Sequence, residues 1–259
     1  MIKIKKLDFS YTSNQPVLKD ISLEIEEKTI TILLGLNGSG KTTLIKLLTR
    51  LLSSPKNHIF INDKEIKDYS IKEYSKIISY VPQSISQDND FQVIEYLVLG
   101  KVNTIKFYSS PKDEDYKQAK EIASQLGIED LLDKKMNELS GGQRQLAVIA
   151  KAVVQDSKII IMDEPTSSID LRFLDMIIKY LNILKNLGKT IILSCHDPNI
   201  PLLINGNVVV LEKGKIKKYG KARDILTKEF IEDVYQCKMI ETKELPFKSV
   251  SLKPIDYNE

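Results

Sequence analysis

The residues best suited to binding phosphate lie at positions 35–43, where the chain reads GLNGSGKTT. This stretch matches the pattern G-x-x-x-x-G-K-[ST] at every required position. Glycines let successive backbone N–H groups turn toward an anion, Lys41 supplies a mobile positive charge for the outer phosphates, and the Thr42 hydroxyl can ligate Mg²⁺. The stretch is predicted to cradle the phosphates of a nucleotide. The loop residues expected to contact the nucleotide are Asn37, Gly38, Ser39, Gly40, Lys41, Thr42 and Thr43.

The segments on either side of this loop have the patterns of a buried strand and a helix. Residues 29–34 read TITILL, an apolar and partly β-branched run. Four leucines then recur at helical spacing: Leu44, Leu47, Leu48 and Leu51. A strand, a glycine loop and a helix in this order are the context that phosphate binding requires, so an incidental glycine-rich turn is the weaker interpretation.

A second chemically promising pair, Asp163 and Glu164, ends the apolar segment 158–164, KIIIMDE. Ligands of open α/β sheets collect at the carboxyl ends of the strands, so we expect both carboxylates beside the phosphate loop. Asp163 would then hold Mg²⁺, and Glu164 would polarise the water that attacks the terminal phosphorus. The alternative is a solvent-exposed acidic pair with no role in chemistry.

A second glycine-containing turn, LSGGQ at positions 139–143, leads into a helix-like segment. A helix N-terminus attracts anions, and here a serine hydroxyl is available as well. The turn has no lysine at the phosphate-loop spacing, which suggests that two copies of the chain meet and that each completes the other's γ-phosphate site. An ordinary capping turn is the competing interpretation. The residues predicted to reach the partner's site are Ser140, Gly141, Gly142 and Gln143.

Three further residues are candidates for the site: two follow predicted strands, and one precedes the phosphate loop in the chain. His196, one of two histidines in the chain, follows the strand-like segment 190–194, where it could bond the γ-phosphate or have no special role. Tyr11 precedes the phosphate loop and is either a half-buried aromatic or a platform for a base. Gln83 follows the sequence YVP, where strand character stops.

The order of patterns predicts an α/β fold: a P-loop NTPase core with a mainly parallel sheet, an N-terminal antiparallel β-subdomain and an inserted α-helical lobe. Residues 1–83 would form the first part of the core and 84–156 the helical lobe with LSGGQ. Residues 157–259 would form the second part of the core and a C-terminal tail, with one helix predicted over ARDILTKEFIEDVYQ.

Composition narrows the function classes. The net charge of +3, from 38 basic and 35 acidic residues among 259, does not suggest a nucleic-acid partner. The chain has two cysteines, a number that fits a protein of a reducing compartment. Neither has the spacing of a zinc ligand, so no zinc site is predicted. No apolar run is long enough to cross a bilayer and the first residues lack a signal-peptide core, so any work at a membrane is expected to go through partners.

Together these motifs, in this order along nearly the whole chain, resemble the ATP-binding subunits of ABC transporters. The resemblance implies that Tyr11 stacks on adenine, that Gln83 links γ-phosphate and Mg²⁺ to a transmembrane partner, and that His196 is the switch histidine. It also identifies Asp170, in DEPTSSID, as the D-loop aspartate.

The resemblance further implies the cofactors and partners. Two ATP-binding subunits, most simply a homodimer, would sandwich ATP and Mg²⁺, with Glu164 as the catalytic carboxylate. The subunits would lie at the cytoplasmic face of the membrane, peripheral to permease subunits and indirectly linked to a substrate-binding protein.

The helical lobe, with FQVIEYLVLGK at positions 91–101, is similar in layout to ATPases of iron-siderophore, haem and cobalamin importers. Lys101 stands where that group usually has arginine, and 102–110 lacks its usual proline-rich ending. The similar layout predicts an iron-siderophore or other metal-chelate substrate; the two departures count against that assignment, and a metal-ion importer remains an alternative.

A soluble ABC ATPase of DNA repair, translation or cofactor assembly is the alternative from another class. Repair proteins of this type usually carry a long coiled-coil insertion, and the insert here lacks heptads. Translation proteins usually carry two cassettes in one chain, and one is found here. The presence of Glu164 and His196 argues against a catalytically silent binding module.

Overall fold

A computed structural model describes residues 1–12, 15–83, 90–103, 110–167, 169–242 and 249–252. It confirms the predicted α/β fold, in which a mostly parallel sheet is accompanied by a separate antiparallel sheet and by helices. Most of segment 102–110, whose sequence departs from that of the metal-chelate importers, lies outside the described residues.

The central sheet has the strand order β10-β9-β3-β8-β7-β6, and only β10 runs antiparallel to its neighbour. Its inner strands are buried on both faces, which explains why their sequences are continuous apolar runs rather than alternating patterns. The strands of this sheet are β3 (Ile30–Leu34), β6 (Ile78–Val81), β7 (Ile159–Met162), β8 (Thr190–Cys195), β9 (Asn207–Glu212) and β10 (Lys215–Lys221).

The second sheet is antiparallel, with the order β2-β1-β4-β5. Buried and exposed residues largely alternate along β2, as expected for a sheet with one face in solvent. Its strands are β1 (Ile2–Ser10), β2 (Pro16–Ile25), β4 (Ile59–Ile61) and β5 (Lys64–Glu65). A hairpin of β11 (Met239–Thr242) and β12 (Ser249–Leu252) follows near the C-terminus.

The helices lie between these strands in chain order. They are α1 (Lys41–Leu48), α2 (Ile71–Ile77), α3 (Val93–Val98), α4 (Asp113–Gln125), α5 (Gly141–Val154), α6 (Leu171–Asn186), α7 (Asn199–Ile204), α8 (Ala222–Ile225) and α9 (Lys228–Tyr235). Helices α3, α4 and α5 contact one another and form the helical part of the predicted lobe. None of the helices in the described ranges combines the length and apolarity that a membrane span needs.

Two apolar clusters lie on opposite faces of the central sheet. Neighbouring residues of one strand contribute to different clusters: Ile32 belongs to the cluster that contains residues of α3 to α7, whereas Leu33 belongs to the cluster with residues of α1 and the antiparallel sheet. Because both faces are covered, the strands are fixed firmly and their carboxyl ends can hold side chains in defined positions.

Two details of the sequence prediction were wrong. Leu51 is 59% exposed rather than part of the buried face of α1, because the helix ends at Leu48 and Arg50 turns the chain with φ of 60°. The predicted C-terminal helix is two helices, because the Thr227 side chain accepts a hydrogen bond from the N–H of Phe230 and starts α9 separately.

Candidate functional site

The glycine loop connects β3 to α1 and closes over the start of that helix. Gly38 and Gly40 have φ of 79° and 106°, a region that residues with a Cβ rarely occupy. At Gly40 a Cβ would also lie 2.7 Å from a methyl group of Leu18. The loop conformation therefore requires glycine at position 40, as the motif predicted.

Lys41 is 4% exposed and lies inside the arc of the loop. Its Nζ donates hydrogen bonds to the carbonyl oxygens of Gly35 at 2.7 Å and Leu36 at 3.2 Å. The same Nζ lies 3.8 Å from Oε1 of Glu164. The ammonium group is thus held between the phosphate loop and the end of β7, where an outer phosphate would be neutralised.

Asp163 lies where two hydroxyl groups from other elements converge. Thr42 Oγ1 donates to Asp163 Oδ1 at 3.2 Å, and Ser194 Oγ donates to the same oxygen at 2.6 Å. Asp163 is 2% exposed. A carboxylate and a hydroxyl, with phosphate oxygens and water, form the hard oxygen set that Mg²⁺ prefers, so the residues fit this ion.

Glu164 is the residue on which the other polar side chains converge. Its Oε2 accepts from Gln83 Nε2 at 3.1 Å and lies 3.5 Å from His196 Nδ1, while Oε1 faces Lys41. The residue is 9% exposed and has φ of 45°, a left-handed conformation that is uncommon outside glycine. The predicted site residues from the loop, the Gln83 segment and the β8 end therefore meet around one carboxylate.

The backbone at His196 is tied to the C-terminal helix. Tyr235 OH, on α9, donates to the His196 carbonyl oxygen at 2.6 Å, and burial raises the pKa of Tyr235 well above its usual value. The imidazole itself is half exposed. The neighbouring Cys195 is buried, and burial raises the pKa of its thiol.

Tyr11 stands beside the phosphate loop. Its ring is 54% exposed and packs edge to face on Phe9, with ring centroids 5.2 Å apart. Its hydroxyl is 3.2 Å from Thr43 Oγ1. An exposed aromatic face next to a phosphate loop is available for a base.

A cleft of about 330 Å³ lies along the phosphate loop and reaches Gln83 and Glu164, whereas Tyr11, Asp163 and His196 are not among its lining residues. Among the described residues, those that line it include most of the predicted phosphate-binding set but neither Asp170 nor any of residues 140–143. The lining residues are Val17, Asn37, Gly38, Gly40, Lys41, Thr42, Thr43, Gln83 and Glu164.

The LSGGQ turn forms the N-terminus of α5, and none of its residues lines the cleft of its own chain. Ser140 Oγ accepts from the N–H of Gln143 at 3.3 Å, and the Gln143 side chain accepts from the N–H of Ser140 at 3.1 Å, a complete capping box. A Cβ on Gly142 would lie 2.2 Å from the ring of Phe173 on α6. The turn thus presents its exposed edge to the surroundings while Gly142 packs inside the chain.

Asp170 is the N-cap of α6. Its Oδ1 accepts a hydrogen bond from the N–H of Phe173 at 3.1 Å. Capping alone would therefore explain an aspartate at this position, apart from any role in an interface.

Sequence reasoning missed two residues that shape the site, Ser194 and Tyr235. Ser194 is a polar residue inside the apolar run TIILSC, and that interruption is the signal that could have found it. Nothing in the spacing of Tyr235 indicates its contact with His196.

Comparisons with known proteins identify the family of the chain. A family model described as ABC transporter matches residues 18–167, which is more than half of the chain. The chain belongs to the ABC transporter family. This ABC ATPase is 33% identical over 221 residues to the "Probable iron chelatin transport ATP-binding protein" of Helicobacter pylori, covering 83% of this chain and 85% of that protein.

Solved structures of ABC proteins have the same fold. An inward-facing ABC transporter described as metal-chelate type matches with a TM-score of 0.84 and 28% identity, over 98% of this chain and 97% of that one. A dimeric bacterial ABC transporter cassette matches with a TM-score of 0.75 and 26% identity, over 86% of this chain and 99% of that one. The chain is accordingly an ATP-binding subunit and an ATPase of the ABC type, as the motif order predicted.

Proposed function

We propose that this ATPase drives an importer of metal chelates, and that Glu164 is the carboxylate that orients the water attacking the γ-phosphate. The observation that carries the proposal is the convergence of Lys41, Gln83 and His196 on Glu164, at 3.8, 3.1 and 3.5 Å. A buried carboxylate surrounded by donors has the position and the chemistry to hold a nucleophilic water beside a phosphate.

The residues around Glu164 would stabilise the transferring phosphoryl group. Lys41 would neutralise charge on the outer phosphates, and His196 would donate a hydrogen bond to the γ-phosphate. Phosphoryl transfer needs little covalent help from the protein, so these residues act through positioning and electrostatics. Tyr11 would stack on adenine, and the N–H groups of residues 37–43 would bind the phosphates.

Mg²⁺ would be held by Thr42, Asp163 and the side-chain oxygen of Gln83. When bound, the ion supplies neutralisation of the charge on the β- and γ-phosphate oxygens. The chain's own contribution is to fix the ligands: Thr42 and Asp163 are already bonded to each other at 3.2 Å.

A second copy of the chain would complete each nucleotide site. Ser140 and Gly141 are exposed at the N-terminus of the 14-residue helix α5, where the helix dipole favours a negative group. Because none of its residues lines the cleft of its own chain, we infer that the turn reaches the γ-phosphate bound by a partner, with Asp170 at the same interface. ATP would then favour the closed dimer, and hydrolysis would remove the contacts that favour closure.

The transport role follows from the family and from the relatives' described functions. The chain would sit at the cytoplasmic face of the membrane on permease subunits, which in turn receive substrate from a binding protein. Gln83 and the lobe predicted at 84–156 would transmit the motion. An iron-siderophore or another metal chelate is the substrate class that the Helicobacter relative and the metal-chelate type transporter support.

Light scattering of the Glu164→Gln protein with and without MgATP tests the shared site. We expect monomers without nucleotide and dimers with MgATP, because this variant should bind ATP but not hydrolyse it. The matched control is the double variant Glu164→Gln with Ser140→Arg, in which a bulky cationic side chain occupies the turn. This double variant should bind ATP and remain monomeric. Dimers of equal stability in the control would reject the role of Ser140.

Co-purification and uptake test the transport role. The chain should purify with a multi-span membrane protein, and proteoliposomes of that complex should accumulate a ferric siderophore in an ATP-dependent manner. Failure to recover any membrane protein with a chain that hydrolyses ATP would instead support a soluble ABC ATPase. Uptake of a different substrate class by the complex would refute only the metal-chelate assignment.

A further inference from the structure

Glu164 has a backbone conformation that needs support. Its φ of 45° lies in the left-handed region, which costs a non-glycine residue about 1–2 kcal/mol. Such conformations persist only where the surroundings hold them, and they cluster at functional sites. The bonds that hold this residue therefore decide where its carboxylate points.

The N–H of Glu164 is held by Ser194. Ser194 Oγ accepts from this N–H at 2.8 Å and at the same time donates to Asp163 Oδ1 at 2.6 Å. Ser194 is 0% exposed, so no water competes for its hydroxyl. One hydroxyl thus uses both its acceptor and its donor to connect two adjacent acidic residues, a combination that an alanine cannot supply.

The carbonyl group of Glu164 is held by Ser167. The N–H of Ser167 donates to this oxygen at 3.1 Å, and Ser167 Oγ donates to it at 2.9 Å. The residue is therefore fixed on both sides of its Cα. With the backbone fixed, the Glu164 carboxylate reaches Lys41 on one oxygen and Gln83 and His196 on the other.

We propose that Ser194 is a positioning residue for ATP hydrolysis: its hydroxyl sets the orientation of both the proposed magnesium ligand Asp163 and the proposed catalytic carboxylate Glu164. The inference rests on the proposed function of those two residues. Ser194 lies on β8 and the two acids follow β7, so the bond also ties the ends of neighbouring parallel strands. Ser167 supports the same conformation from the other side.

Ser157 provides a matched control for simple destabilisation. It is 1% exposed and lies just before the other end of β7, where its hydroxyl bonds Ser79 Oγ at 2.9 Å and the Ile159 carbonyl at 2.8 Å. It therefore resembles Ser194 in burial and in the number of hydrogen bonds, but it lies at the opposite end of the strand from Asp163 and Glu164. A general loss of stability should affect both variants alike.

The experiment compares Ser194→Ala, Ser194→Thr and Ser157→Ala in the full chain by kcat, KM for ATP and thermal unfolding. Loss of the two buried hydrogen bonds that the Ser194 hydroxyl makes to Asp163 and Glu164 should lower kcat about tenfold or more in Ser194→Ala. KM should rise by a smaller factor than kcat falls, and Ser194→Thr should recover much of the rate because it keeps the hydroxyl. Ser157→Ala should lower the unfolding temperature with kcat nearly unchanged.

A binding measurement separates metal positioning from catalysis. The affinity of each variant for a fluorescent ADP analogue is measured once with Mg²⁺ and once with EDTA. Because Asp163 loses a partner, the gain in affinity that Mg²⁺ provides should shrink in Ser194→Ala but not in Ser157→Ala.

Several results would overturn the proposal. They are a kcat of Ser194→Ala equal to that of the unaltered chain, equal rate losses in both alanine variants, or no recovery in Ser194→Thr at equal unfolding temperature. A failure of the underlying function looks different, because then Glu164→Gln would hydrolyse ATP normally. An inactive Glu164→Gln beside a fully active Ser194→Ala would reject the role of Ser194 alone.

Discussion

Replacing Glu164 by glutamine removes one negative charge from the centre of the site while nearly preserving the shape of the side chain. The carboxylate lies 3.8 Å from Lys41 Nζ, and both groups are at most 10% exposed. At an effective dielectric constant of about 20, the attraction across this distance is about 4 kcal/mol before the cost of desolvation. The substitution therefore affects catalysis, and it also frees the positive charge of Lys41 to attract the phosphates of ATP.

We expect kcat to fall about a thousandfold, which corresponds to about 4 kcal/mol of lost transition-state stabilisation. An amide cannot accept a proton from the attacking water, and it orients that water less strongly than a carboxylate. ATP should bind about tenfold more tightly, since Lys41 no longer interacts with a competing carboxylate. The gain is smaller than the direct attraction between Lys41 and Glu164, because the cost of desolvation offsets most of that attraction.

Phosphate release in a single turnover measures the chemical step, and titration with a fluorescent ATP analogue measures affinity. Glu121→Gln is the matched control, because this glutamate is exposed on α4 and should leave both quantities unchanged. A rate for Glu164→Gln within a few-fold of the unaltered chain would refute the catalytic role. Weaker ATP binding would refute the argument that Glu164 and the phosphates compete for Lys41.

Three further predictions concern the surroundings of the site. Lys41→Ala should weaken ATP binding itself, seen as a higher dissociation constant in equilibrium titration, and unchanged affinity would contradict the phosphate-cradle interpretation. Tyr235→Phe removes the 2.6 Å bond to His196 and should lower the free energy of unfolding by about 1 kcal/mol in urea denaturation, with unchanged stability as the opposing result. Because burial raises the pKa of Cys195, its thiol stays protonated at pH 8; a thiol reagent should modify it only after unfolding, and rapid labelling of Cys195 in the folded chain would oppose this.

The sequence was sufficient to predict the phosphate loop, because its glycine spacing follows directly from the backbone angles that the loop requires. It also placed Asp163 and Glu164 at a strand end, since a parallel sheet gathers such ends on one edge. The contact between Ser194 and Asp163 depends instead on the register of β7 and β8, in which Met162 is paired with Leu193. Two segments so far apart in the chain carry no local signal of that register.

Other features depended on competition between local signals. The leucine spacing favoured extending α1 to Leu51, but the left-handed turn at Arg50 ended the helix first. In the C-terminal segment the helical pattern was read as continuous, and the capping side chain of Thr227 divided it. Such errors arise where a helix end is set by one residue's backbone angle or cap rather than by the apolar pattern.

The close packing of Gly142 on Phe173 has a consequence for how two bound nucleotides influence each other. The same Phe173 donates its N–H to Asp170, at the end of the short segment that begins with Glu164. A partner's nucleotide at the proposed Ser140 site would therefore be linked through Gly142 and Phe173 to Asp170, which follows the proposed catalytic carboxylate in the chain. We expect the two sites to respond to ATP cooperatively, with a Hill coefficient above one, rather than as two independent catalysts that happen to share a surface.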